Sequence, residues 1–233
     1  MRFLAFVAMS AGLLMAGCDK DDNGTDNGGD NSSAEWVDLG LPSGLLWCTH
    51  NVGATNPEDY GDYFAWGETA TKDMFNWITY RYCTVDGKES LSTLTKYNTS
   101  TDYGTVDSLT TLEPVDDAAT VNLGGGARTP TREEWQELIN NTTTEWTTLN
   151  GVNGRRLTST TNGNSIFLPA AGYREGSEFR LVGSVGNYWS SSLNTVDPDF
   201  SRNFYFISAY QAVIGGITRC CGLSVRAVCV SQN

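Results

Sequence analysis

The stretch Pro130-Thr-Arg-Glu-Glu-Trp135 constrains the fold of this chain more than any other. Thr131 and Glu134 have capping-box spacing, in which each side chain satisfies a backbone N–H at the helix start. Trp135, Leu138 and Ile139 stand at i, i+3 and i+4, which gives one apolar stripe. The pattern predicts a helix capped at Thr131, ended by Asn140-Asn141, with those three side chains buried. A second short helix is expected near Asp116 to Val121, where the two carboxylates Asp116 and Asp117 suit free N–H groups.

The rest reads as short strands punctuated by Gly and Asn. Two flank the Pro42-Ser43-Gly44 turn between Trp36 and Val52. Asn56 to Tyr60 reads as a turn leading into Asp62 to Trp66. Later candidates are Arg156 to Ser159, Ser165 to Leu168, Tyr188 to Ser192, Asn203 to Ser208 and Leu223 to Val230. Thr84 to Asn122 has little periodicity and reads as long loops. The expected class is α+β, with many short strands and one or two helices.

The N-terminus has a different composition. A short apolar run, Phe3 to Gly17, follows Arg2 and ends at Cys18. It falls short of the about 20 residues a spanning helix needs and has the layout of a secretory signal. Leu14-Met15-Ala16-Gly17-Cys18 resembles a bacterial lipobox, which implies cleavage before Cys18 and acylation there. Acyl chains contribute about 0.8 kcal/mol per buried methylene, so outer-membrane lipid is the expected partner of Cys18. Residues 19 to 33 hold five Asp and one Lys among Asn, Gly and Ser. They lack apolar side chains to offset ordering and read as a tether. This acid cluster resembles the export signal of surface lipoproteins in Bacteroidetes, which implies the outer face of the outer membrane. The expected organisation is a signal at 1–17, a tether at 18–34 and one domain at 35–233.

Beyond the tether the chain carries 13 basic and 22 acidic residues, a net −9. That argues against nucleic acid, whose phosphates require clustered Lys and Arg. Five cysteines remain after Cys18, and His50 is the sole histidine. No spacing suits zinc, so neither a metal nor another cofactor is expected. Cys220 and Cys221 are adjacent, and a bond between them would close a strained ring.

Several segments carry a resemblance. They include Trp36 to Trp47, Asn51-Val-Gly-Ala-Thr55, Tyr60-Gly-Asp-Tyr-Phe-Ala-Trp-Gly-Glu68, Arg128 to Trp135, Asn164 to Arg174, Tyr188-Trp-Ser-Ser-Ser192 and Ser224-Val-Arg-Ala-Val228. Together they resemble the Fibrobacter succinogenes major paralogous domain. The helix start and the Val-Arg-x-Val ending are also similar to formylglycine-generating enzymes. Both groups imply a C-type-lectin-like fold. The enzymes use a spaced cysteine pair with copper, whereas Ser190 to Phe206 holds no cysteine, so the resemblance does not extend to catalysis. Glu113-Pro114-Val115-Asp116-Asp117 only partly echoes a calcium-dependent sugar-binding loop. The family often has cysteines near Cys48 and Cys229, which implies a bridge between them.

Where that family carries an Asn-rich run, this chain reads Ile214 to Gly222. The substitutions resemble the variable region of lectin-like proteins diversified by retroelements, whose altered residues line an exposed ligand surface. Alternatively, Ile214 and Ile217 are ordinary strand residues. The first reading makes Glu175, Glu178, Phe179, Arg180, Tyr205, Ile207, Tyr210, Val213, Ile217, Arg219, Cys220 and Cys221 one exposed contact surface for a protein or glycan ligand. A structural envelope or pilus-associated role is the second function expected, and an oxidase the third.

Overall fold

The computed structural model describes residues 34–84 and 93–231. The signal, Cys18 and the tether up to residue 33 lie outside the described residues.

β1 (Trp36–Asp38) and β2 (Leu45–Asn51) flank the Pro-Ser-Gly turn. The Gly44 N–H closes that turn on Leu41 O at 2.9 Å. The last strand of the chain pairs with the free edge of β2, so β2 lies at the centre of an antiparallel sheet. Its sequence Leu45-Leu46-Trp47-Cys48 lacks polar alternation because both faces are covered. Leu45 and Trp47 enter one apolar core, and Leu46 and Cys48 enter the other. Successive side chains on a strand point to opposite faces, so β2 partitions the two cores.

Two helices follow the long loops. In α1 (Ala118–Leu123), the Asp117 carboxylate accepts from the N–H groups of Ala119 and Thr120. A 3-10 turn, Pro114–Asp116, leads into it. α2 (Arg132–Asn140) is capped by Thr131 with both halves of the capping box formed. Trp135 and Leu138 are fully buried, while Ile139 is half-buried at the edge of the same core. The Trp135 ring stacks on Phe204 at 4.7 Å and tilts against Trp47 at 4.8 Å.

β3 (Thr142–Leu149), β4 (Val152–Ser159) and β5 (Ser165–Pro169) form a second antiparallel sheet. β6 (Tyr173–Glu175) and β7 (Glu178–Arg180) form a separate hairpin. β8 (Gly186–Leu193), β9 (Phe200–Phe206) and β10 (Gln211–Thr218) form a third sheet with β9 central. β11 (Arg226–Val230) returns to β2. Among the described residues the class is mixed α and β, mostly short strands with two short α-helices.

Tryptophan N–H groups join these parts. Trp66 Nε1 donates to Ser190 O at 2.8 Å, and Trp189 Nε1 to Phe64 O at 2.7 Å. Arg226 is fully buried and donates to four acceptors, among them Cys48 O at 2.9 Å and Phe167 O at 3.0 Å. It thereby links β11 to both β2 and β5.

The Cys48–Cys229 bridge is not formed, and Cys48 is a buried thiol. The strand register sets Cys229 opposite Leu46, two residues from Cys48. Both cysteines enter the same core. As diagonal neighbours their Cα atoms stand roughly 7 Å apart, whereas a bridge requires Cβ atoms about 3.8 Å apart.

Candidate functional site

The β6–β7 hairpin projects from the frame. Its turn is Gly176-Ser177, between the paired residues Glu175 and Glu178. Gly176 has φ +59 and Ser177 does not share it, the pattern of a type II′ turn. Phe75 and Gly176 exchange two backbone hydrogen bonds at 2.8 Å each, which ties the hairpin to the 61–80 loop. At its base, Gly172 has φ +66, and a Cβ there would lie 2.1 Å from Arg180 O. Only glycine lets the strand start so close to its partner.

Arg174 holds the hairpin against the loop. Its Nη2 donates to Asp73 O and Ser177 O, each at 3.1 Å. The guanidinium lies 5.2 Å from the Phe75 ring centre and 4.5 Å from that of Phe179. Phe179 meets Tyr63 edge-on at 5.5 Å yet remains 58% exposed. A cleft of about 420 Å³ opens beside it, lined in part by Asp62, Tyr63, Lys72, Asp73, Arg174 and Phe179. Lys72 Nζ is already engaged, with Glu68 Oε2 at 2.8 Å and Thr79 O at 3.1 Å. Burial raises the Asp62 carboxyl above its ordinary range.

The β9–β10 turn carries a second exposed aromatic side chain, Tyr210. Arg155 Nη2 donates to Ile207 O at 2.6 Å, and Ile207 N–H to Tyr210 O at 3.0 Å. The Tyr205 and Tyr210 rings are 5.8 Å apart, and Tyr210 is 51% exposed. Burial, then Tyr210, then Tyr173 of β6 raise the Tyr205 phenol, and in the hairpin register Tyr173 pairs with Arg180 while Phe179 pairs with Arg174, on the opposite face. Leu181 and Val182, just beyond β7, are exposed as well.

The expected contact surface therefore divides. Glu175, Glu178, Phe179 and Arg180 are exposed on one hairpin, where Arg180 faces Glu175 at 3.6 Å. Tyr210 is exposed, and Tyr205 and Ile207 are half-buried on the next. Val213 stands in β10, in a stretch whose side chains lie outside the described residues. Ile217 packs against the larger core.

Arg219, Cys220 and Cys221 are corrected outright, at 0%, 5% and 3% exposed. Arg219 Nε donates to Tyr80 Oη, and its Nη atoms donate to Lys96 O, Tyr97 O and Pro198 O, each bond 2.9 Å long. Its guanidinium also lies over the Trp66 and Tyr80 rings. Cys221 Sγ lies 3.1 Å from the Thr218 hydroxyl. Hydrogen bonding to Cys221, then burial, push the Cys220 thiol up. These three residues belong to the core.

Sequence reasoning missed Asp62, Lys72, Asp73 and Arg174 as cleft residues. Asp62 and Arg174 lay inside the recognised segments and were read as frame. Lys72 and Asp73 had no pattern of their own. Asp116 and Asp117, the acidic pair of the partial calcium-loop echo, are spent inside the protein. Asp116 accepts from Tyr82, Lys96 and Tyr97, and Asp117 from Thr129 as well as the α1 N–H groups.

No protein-family profile, no curated protein and no solved structure matches the chain.

Proposed function

We propose that this chain is a surface-anchored lipoprotein whose C-type-lectin-like domain binds a ligand or a neighbouring cell without catalysis. The lipobox-like segment ending at Cys18 and the acidic stretch after it support the anchor. The recurring segments from Trp36 to Val228 support the lectin-like domain. One observation carries the binding role. Phe179 is an aromatic left 58% exposed on the wall of a cleft of about 420 Å³, with the Arg174 guanidinium 4.5 Å from its ring centre. A cleft that joins an exposed aromatic to a few polar side chains has the make-up of a ligand site. Tyr and Phe are also residue types enriched at interface cores.

Two measurements test this. Protease added to intact cells should remove the wild-type domain, and Cys18→Ser should release soluble protein. Survival of the domain on intact cells would refute the surface location. Cells displaying Phe179→Ala should adhere to neighbouring cells more weakly than wild type at equal display. Unchanged adhesion would refute the binding face.

A further inference from the structure

Resting on that binding face, we propose that the cleft between the 61–80 loop and the β6–β7 hairpin takes a neutral saccharide. Phe179 would stack on its C–H face, and Asp62 and Asp73 would accept its hydroxyls. The cleft, about 420 Å³, falls within the roughly 300–1,000 Å³ of small-molecule sites.

The hydrogen bonds around the cleft favour this class. Asp62 and Asp73 are exposed at the cleft, and partial burial is the sole cause that moves the Asp62 carboxyl, upward. Among the described residues, nothing donates to the carboxylate of either Asp62 or Asp73. Lys72 beside them is committed to Glu68 and Thr79 O, whereas Arg174 uses only Nη2, on Asp73 O and Ser177 O, and its Nε has no acceptor. The cleft therefore presents carboxylate acceptors beside a partly committed guanidinium, so it suits a ligand whose O–H groups both donate and accept.

Charge selects a neutral one. An anion would meet Asp62 and Asp73, and a cation would meet Lys72 and Arg174. A polyol accommodates both signs without repulsion. One face of the Phe179 ring is taken by Arg174 at 4.5 Å, while the side chain is still 58% exposed. That leaves apolar area for the C–H face of a sugar ring.

The test uses the full-length chain in detergent micelles on an array of neutral and acidic oligosaccharides. Wild type should bind a neutral subset. Asp62→Asn, Asp73→Asn and Phe179→Ala should each weaken that binding about ten- to a hundred-fold, with melting unchanged. Binding confined to acidic glycans, no glycan binding, or binding indifferent to all three substitutions would overturn the proposal. Cell adhesion measured with the same variants separates the two claims. If Phe179→Ala loses adhesion while no glycan binds, the face stands and the saccharide falls. If adhesion is also unchanged, both fall.

Discussion

Arg219 shows how far a side chain's role depends on remote partners. It lies in Thr218-Arg-Cys-Cys221, which reads as polar and exposed, yet its acceptors are on residues 80, 96, 97 and 198. No local pattern can announce bonds across 21 to 139 residues. Arg219→Ala would leave three buried carbonyls and a buried phenol without their donor, each worth roughly 1–3 kcal/mol. The expected loss is about 3 kcal/mol or more, read from the urea midpoint. Tyr210→Ala, at an exposed position, should cost less than about 0.5 kcal/mol. His50 adds a pH term. Burial lowers its pKa, against a weaker opposing effect of the bond to Asn51 O. The unfolded chain therefore takes up the proton first, near pH 6.5. Stability is full above that pH and falls as the pH drops toward the lower folded value. The urea midpoint should fall between pH 7.5 and 5.5 in the wild type, and His50→Asn should flatten that dependence.

At the scale of elements, legibility followed the physics of each signal. The α2 start was readable because a capping box is a local contract. Thr131 Oγ1 accepts from Glu134 N–H at 3.2 Å, and Glu134 Oε2 from Thr131 N–H at 2.8 Å. Thr131→Ala should cost about 1 kcal/mol. Leu138→Ala, which empties a fully buried site, should cost about 2–5 kcal/mol. Thermal unfolding of both variants checks the ranking, and an unchanged Leu138→Ala midpoint would overturn the packing of α2. The strand β3 was missed although six of its residues are β-branched or aromatic. It starts directly after Asn141 with no intervening turn, and its half-buried Thr side chains mimic a loop. β6 and β7 have three residues each, too few for periodicity. β10 is interrupted by Gly215-Gly216, where its register with β9 shifts, and glycine inside a strand often marks such a bulge.

On the scale of the whole molecule, the described residues form two cores divided by β2 and an exposed surface that includes the β6–β7 hairpin and the β9–β10 turn. The division was implicit in the unalternated run Leu45-Leu46-Trp47-Cys48, since a strand buried on both sides has no polar face. The exposed surface was half legible. The exposed hairpin residues Glu175 to Arg180 and Tyr210 were anticipated, whereas the end of the expected surface, Arg219 to Cys221, turned inward. The cleft was invisible in the sequence because Asp62, Asp73 and Arg174 meet through long-range pairings, Phe75 with Gly176, Phe64 with Leu223 and Arg174 with Gly222. The central claim is that this face binds while the frame folds, and one comparison tests it directly. The double variant Phe179→Ala/Tyr210→Ala is measured beside Arg219→Ala for both melting and cell adhesion. The account predicts a double variant that melts like the wild type and has lost adhesion, and an Arg219→Ala protein with a clearly lowered melting temperature. A double variant that unfolds early, or one that adheres like the wild type, would contradict it.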